Sequence, residues 1–139
     1  MDAKISLHDY NRRFRYTDDL TVHNKKDKWV VMDPGVDNLF RGDCEDYVLT
    51  LRAKVRGFGK TKIYYCYTDG RAHMVGSVNG KLIDSSSRKL VNSERFIRKF
   101  RITNLTKIDE DIISQRVNQF RNRGPIVQAL LDFWEHFSE

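Results

Sequence analysis

Two dipeptides, Asp69-Gly70 and Asn79-Gly80, constrain this chain more than any other feature in it. Each favours the left-handed backbone of a two-residue hairpin turn. The segments around them, KIYYCYT, RAHMVGSV and KLID, are rich in strand formers. The pattern predicts a three-stranded antiparallel meander over 62–68, 71–78 and 81–84. A two-residue loop at Asn79-Gly80 also sets a register, with Val78 facing Lys81, Gly76 facing Ile83 and Val75 facing Asp84. His73 then shares a face with Val75 and becomes the diagonal neighbour of Asp84, their Cα atoms roughly 7–8 Å apart. A slip of one residue would send the two side chains to opposite faces.

Ahead of the meander the period changes. Cys44, Tyr47, Val48, Leu51 and Val55 recur at helical spacing. Asp43 suits the N-cap, and Gly57 and Gly59 stop the run, so a helix with one buried face is expected over 44–56. Residues 1–23 are polar and weakly patterned, with room for one short helix. DKWVVMDPG is an apolar run that ends in a turn signal. After the meander, RFIRKFRITNL predicts a further strand near 96–103. DEDIISQRVNQFRNRG then sets Ile112, Ile113, Val117 and Phe120 on one side of a helix, with Gly124 as its stop. Pro125 suits the first turn of a last helix, whose apolar face is Ile126, Val127, Leu130, Leu131, Phe133, Trp134 and Phe137.

A helix, then an antiparallel sheet, then helices make an α+β domain. The 139 residues fit one domain, with a core of about 29–104 and a helical segment of about 109–138. No apolar run approaches the ~18–20 residues that span a bilayer, so no membrane partner is expected. MDAKISLHDYNRRFRYTDD lacks the apolar stretch of an export signal. A cytoplasmic protein is expected, with its two cysteines as thiols, and no zinc spacing is present. The net charge is +6. Its basic residues are scattered, which fits a solvated surface, or an acidic partner such as nucleic acid or an acidic protein.

The chemistry concentrates on Cys44. A helix start favours an anion, which would stabilise a thiolate. Asp43, Glu45 and Asp46 act the other way, since negative charge raises a thiol pKa. A nearby cation, an imidazolium or a metal ion, is therefore needed to make Cys44 reactive. His73, oriented by Asp84, supplies the imidazole. An oxyanion donor is also required: the Cys44 N–H is one, and Trp29 and Asn38 are both candidates for a second. Cys66 reads as strand packing; Tyr64, Tyr65 and Tyr67 could stack bases beside basic residues, but strand propensity accounts for them. His8, His23 and His136 lack such neighbours and read as structural.

Here a resemblance becomes specific. The run Gly-Asp-Cys-Glu-Asp-Tyr over 42–47, the helix behind it, and then GRAHMVGSVNGKLIDSSS together resemble the bacterial transglutaminase-like cysteine peptidases, over roughly 29–104. The resemblance implies a papain-like/transglutaminase-like core, with the nucleophile helix packed on the antiparallel sheet. It also implies Cys44 as nucleophile, His73 as general base and Asp84 as orienting acid, acting on a protein or peptide substrate. The best-known members of that family are periplasmic proteases that clip surface adhesins and bind calcium beside the nucleophile. By the resemblance, Asp43, Glu45 and Asp46 are the calcium positions. Read from the residues alone, the three are acidic first-turn residues that stabilise a helix, and three carboxylates are too few for a full calcium shell. No other cofactor is required. The chain departs from those members in being short, basic and without an export signal, which points to a compact intracellular or phage-encoded relative. Protease, deamidase and amide-transfer activities remain open. So do two alternatives: a non-catalytic basic module that binds an acidic protein or nucleic acid, and a phage-type cell-wall peptidase.

Overall fold

The computed structural model describes residues 4–17 and 29–121. It begins with helix α1, Leu7–Arg13, capped by the Ser6 side chain, and runs directly into strand β1, Phe14–Tyr16. Strand β2, Phe40–Gly42, pairs with β1 in parallel, Phe14 against Phe40 and Tyr16 against Gly42. Helix α2, Cys44–Lys54, follows after one residue. Next come β3 (Lys62–Thr68), β4 (Arg71–Val78), β5 (Lys81–Ile83) and the short β6 (Val91–Asn92). Helix α3 (Ser93–Lys99), strand β7 (Ile102–Lys107) and helix α4 (Glu110–Arg121) complete the described chain. The architecture is α+β.

The main sheet is antiparallel, in the order β6-β5-β4-β3-β7. The expected meander is present, and the pairs Val78↔Lys81 and Gly76↔Ile83 match the register that the turn chemistry implied. Asp69, Gly70, Asn79 and Gly80 all take positive φ, as that turn requires. The third strand stops at Ile83, one residue earlier than expected.

Alternation along the strands separates two cores. Ile63, Met74 and Ile83 face α2 and join Tyr47, Val48, Leu51, Ile113 and Val117. Cys66, Val75 and Leu82 face the other way and join Phe96 of α3 and Ile102 of β7. The sheet is thus covered by the cysteine helix on one face and by α3 on the other. Gly76 allows the close approach of α2: a Cβ there would lie 2.7 Å from Thr61 and 3.2 Å from Val48.

Two expectations are corrected. The strand expected near 96–103 is helix α3 followed by β7, which starts only at Ile102. The Asn92 side chain accepts from the Glu94 and Arg95 N–H groups and starts a helix. Phe96 and Phe100 then meet at i,i+4, 4.6 Å between ring centroids. In α4, Ile113 and Val117 are buried as expected but Ile112 is 48% exposed, so the apolar stripe is narrower than its composition suggested. The Phe120 side chain and the whole expected helix after Pro125 lie outside the described residues. Among the described residues, no helix is long and apolar enough to cross a membrane.

Candidate active site

The Gly42–Tyr47 run has a structural use at nearly every position. Gly42 ends β2 where a Cβ would meet Met32 Sδ at 2.6 Å and Asp46 at 2.7 Å. Asp43 is the N-cap, and its Oδ1 accepts from the Glu45 and Asp46 N–H groups at 3.0 and 3.1 Å. Asp46 returns the bond, with Oδ2 accepting from the Asp43 N–H, which makes a capping box. Its other oxygen accepts from the Val30 N–H at 3.0 Å, which ties the incoming chain to the helix start. Glu45 accepts from the Tyr65 hydroxyl at 2.8 Å across to β3. Tyr47 stacks on Tyr10 at 5.0 Å and donates its hydroxyl proton to Asn11.

Cys44 occupies the first helical position. The cap uses the N–H groups of Glu45 and Asp46, and the Tyr47 N–H donates to the Asp43 carbonyl. The Cys44 N–H has no acceptor among the described residues. Burial pushes the Cys44 thiol up to about 12; the hydrogen-bonding pull of the Met74 backbone counters part of this, and Asp43, Glu45 and Asp46 add to the rise. At neutral pH the sulfur is therefore a thiol, chiefly because burial disfavours its charged form.

The expected partner pair forms. His73 Nε2 stands 2.6 Å from Asp84 Oδ2, with the His73 side chain 12% exposed and that of Asp84 2%. Asp84 is held in turn by the loop behind it, where Oδ1 accepts from the Ser86 and Ser87 N–H groups at 3.1 and 2.7 Å. Burial alone would raise the Asp84 carboxyl. The bonds from His73 and Ser87 outweigh burial and hold it below its usual value. A carboxylate only accepts, so the bond puts the ring proton on Nε2 and leaves Nδ1 with its lone pair free. Nδ1 has no hydrogen-bond partner among the described residues.

Cys44 and His73 approach β4 from different directions. His73 pairs with Cys66 across β3 and, by alternation, shares the face of Val75, whereas α2 packs on the face of Met74. Cys44 meets β4 where that strand has no β5 partner. The β4–β5 pairing ends at Gly76↔Ile83, so no β5 residue pairs with residues 71–75 of β4. There the Cys44 sulfur faces the Met74 backbone, next in sequence to His73. Among the described residues no hydrogen bond joins the Cys44 thiol to the His73 ring.

The two candidates for a second oxyanion donor differ sharply. Asn38 lies in an exposed turn at positive φ, with its carboxamide oxygen bound by Arg13. Trp29 is buried, stacked 6.1 Å from Tyr65, and its Nε1–H has no acceptor among the described residues. The Arg116 guanidinium lies over its ring at 4.6 Å. The carboxylates of Asp43 and Asp46 serve as acceptors for backbone N–H groups, and among the described residues no three His, Cys, Asp or Glu side chains gather as a metal-holding group. With two of the three carboxylates already capping the helix, the run offers fewer oxygens than the roughly six to eight of a full calcium shell.

Sequence reading did not find the brace on Asp84. Its signal was present in Asp-Ser-Ser-Ser over 84–87, because an aspartate followed by serines bonds its own downstream backbone. The Tyr65–Glu45 bond and the Tyr10–Tyr47 stack had no local signal. Cys66 is buried against strand and helix, as expected. His8 is exposed on α1, and His23 and His136 lie outside the described residues. No protein-family model matches this chain, and no curated protein matches it.

Proposed function

We propose that this protein is a cysteine hydrolase of the papain-like/transglutaminase-like class, acting most readily as a protease. The observation that carries the reading is the His73–Asp84 pair, 2.6 Å apart, with its free Nδ1 one residue from the backbone that the Cys44 sulfur faces. In this reading Cys44 attacks a peptide or side-chain amide carbonyl. The thiol proton passes to His73 Nδ1 as the S–C bond forms, so that no free thiolate is needed at rest. The carbonyl oxygen becomes an oxyanion and is met by the Cys44 N–H, with the Trp29 Nε1–H as second donor. As the C–N bond breaks, His73 returns the proton to the leaving amine, and a thioester remains. His73 then takes a proton from water, the hydroxide displaces the sulfur, and the acid product and the thiol are released. Asp84 orients the ring and stabilises its charged form. No step uses a metal ion.

The test is hydrolysis of a mixed peptide library, followed by mass spectrometry, with wild type, Cys44→Ala and His73→Ala. Cleavage by wild type alone is expected, with all three proteins folded at the assay temperature by circular dichroism. Equal cleavage by His73→Ala would overturn the assignment.

A second reading has its own support. A thiol held near 12 with no hydrogen bond to the imidazole suits a non-catalytic module that binds an acidic partner. It predicts no cleavage from any of the three proteins.

A further inference from the structure

Positive charge gathers in two stretches of this chain, residues 52–62 with five Lys or Arg and no acid, and the longer run 88–107. Residues 88–107 hold seven Lys or Arg residues and a single acid, Glu94. That surplus of six equals the net charge of the whole protein, so the remaining residues balance eighteen basic against eighteen acidic. The longer run is β6, α3 and β7, which cross the sheet face opposite the cysteine helix and connect its two edge strands. Its cations are on the surface: Lys89, Arg95, Arg98, Lys99, Arg101 and Lys107 are all exposed. Among the described residues only Arg101 has a carboxylate partner, the exposed Asp69 at 3.8 Å.

Folding does not explain this arrangement. Arg95, Arg98 and Lys99 stand at i, i+3 and i+4 on one side of α3, where like charges destabilise a helix. The helix end favours Arg98 and Lys99, but Arg95 is in the first turn, where the dipole opposes it. The opposite side of α3 already packs through Phe96, so the charges are not needed for its docking. The band also adjoins the candidate site. It begins four residues after Asp84, and α3 covers the face on which alternation places His73.

We propose that this face docks an acidic polypeptide segment and delivers it to the His73–Asp84 edge. The docking stands on the charge distribution alone; the statement that the docked segment is the substrate rests on the hydrolase reading above. A polypeptide is favoured over a nucleic acid because among the described residues no fully exposed aromatic side chain lies on this band; Phe96 is buried, and Phe100 is half-buried against it. Tyr16 belongs to β1, and Tyr67 alternates onto the other sheet face, so a stacking platform for bases is missing among the described residues.

The probe is a fluorescein-labelled ten-residue glutamate peptide, read by anisotropy at low and physiological salt. Comparators are a neutral Gly-Ser peptide and a ten-nucleotide oligothymidine of similar charge. The proteins are wild type, Cys44→Ala, the triple variant Arg95→Gln, Arg98→Gln, Lys99→Gln, and the single variant Arg95→Ala. The single variant removes only an exposed, unpaired side chain and is expected to fold. Wild type and Cys44→Ala should bind the glutamate peptide equally and at least tenfold more tightly than the neutral one. The triple variant should lose at least tenfold, the single variant about threefold, and added salt should weaken binding. Undiminished binding by the single and triple variants, or tighter binding of oligothymidine, would overturn the proposal. Glutamate-peptide binding without cleavage of any library peptide would keep the docking and reject the hydrolase. Cleavage without such binding would do the reverse.

Discussion

Asp84 does two jobs with two oxygens: Oδ2 holds His73 Nε2 at 2.6 Å, and Oδ1 closes the Ser86–Ser87 turn. Orientation of the imidazole and shape of the loop are therefore linked through one buried carboxylate. Asp84→Asn keeps the size of the group but lets its NH2 or its oxygen meet the ring, which favours the wrong tautomer. We expect kcat to fall about 10²–10⁴-fold, as in other hydrolases whose orienting carboxylate is lost. Asp84→Ala also leaves two backbone N–H groups without their acceptor, for about 1–3 kcal/mol of stability each. Urea unfolding separates the two effects, since Asp84→Asn should lose less stability than Asp84→Ala.

The same carboxylate predicts an acid limit. Its folded pKa lies below the ordinary 3.8, so the unfolded chain binds the proton first. The stability it contributes is fully present above pH 3.8 and is lost as pH falls through the depressed folded value. Melting curves of wild type and Asp84→Asn should therefore converge as pH drops below 3.8. A constant gap down to the most acid folded state would contradict the assignment.

Cys44 should label slowly. With the thiol near 12, iodoacetamide alkylation at neutral pH should lag a free cysteine, which titrates near ~8.5, and should keep rising well into alkaline solution. Glu45→Gln removes one of the carboxylates that raise the thiol, so it should speed labelling several-fold at fixed pH. His73→Ala should slow the residual neutral reaction if His73 accepts the thiol proton. Peptide mass spectrometry of the Cys44 fragment reads all three rates, and labelling already complete below neutral pH would show a preformed ion pair instead.

How much of this was legible in the sequence follows from the range of the interactions. The 44–54 helix, its Asp43 cap, both hairpins and the His73–Asp84 neighbourhood depend on residues close in the chain, where turn chemistry and periodicity act. The β1–β2 pair joins Phe14 to Phe40 through strands of three residues, too short for any periodic pattern. Helix α3 was missed because aromatic and β-branched residues in RFIRKFRI suggest a strand, while the deciding signal was a single cap, Asn92. At the candidate site the His73–Asp84 contact was legible, and the direction from which Cys44 reaches β4 was not. That the cysteine helix and His73 belong to opposite sheet faces is a property of tertiary packing.

Calcium offers a further check on the acidic run. Asp43 and Asp46 already serve three backbone N–H groups of the helix start and one from Val30. A cation recruited there would compete with the cap. We expect the thermal midpoint to stay within about 1 °C between millimolar calcium and chelator. A rise of about 3–5 °C, which corresponds to roughly 1 kcal/mol in a domain of this size, would show that the run holds calcium, and Asp46→Asn should then abolish the rise.

The tightest constraint in the run is its glycine. A Cβ at Gly42 would stand 2.6 Å from Met32 Sδ and 2.7 Å from Asp46 Cβ and Oδ2. The sulfur ends a flexible side chain and can move, but Asp46 cannot yield without releasing both its N–H donors, Asp43 and Val30. Gly42→Ala should therefore cost more than ordinary overpacking, about 2–4 kcal/mol, by opening the capping box directly behind Cys44. The helix start would loosen with it, so Cys44 labelling should accelerate while the sheet stays protected from hydrogen exchange. Gly76→Ala would also overpack, but at the middle of α2, and should lower stability without changing the labelling rate. Equal labelling in the two variants would mean that Gly42 serves general packing and not the geometry of the cysteine turn.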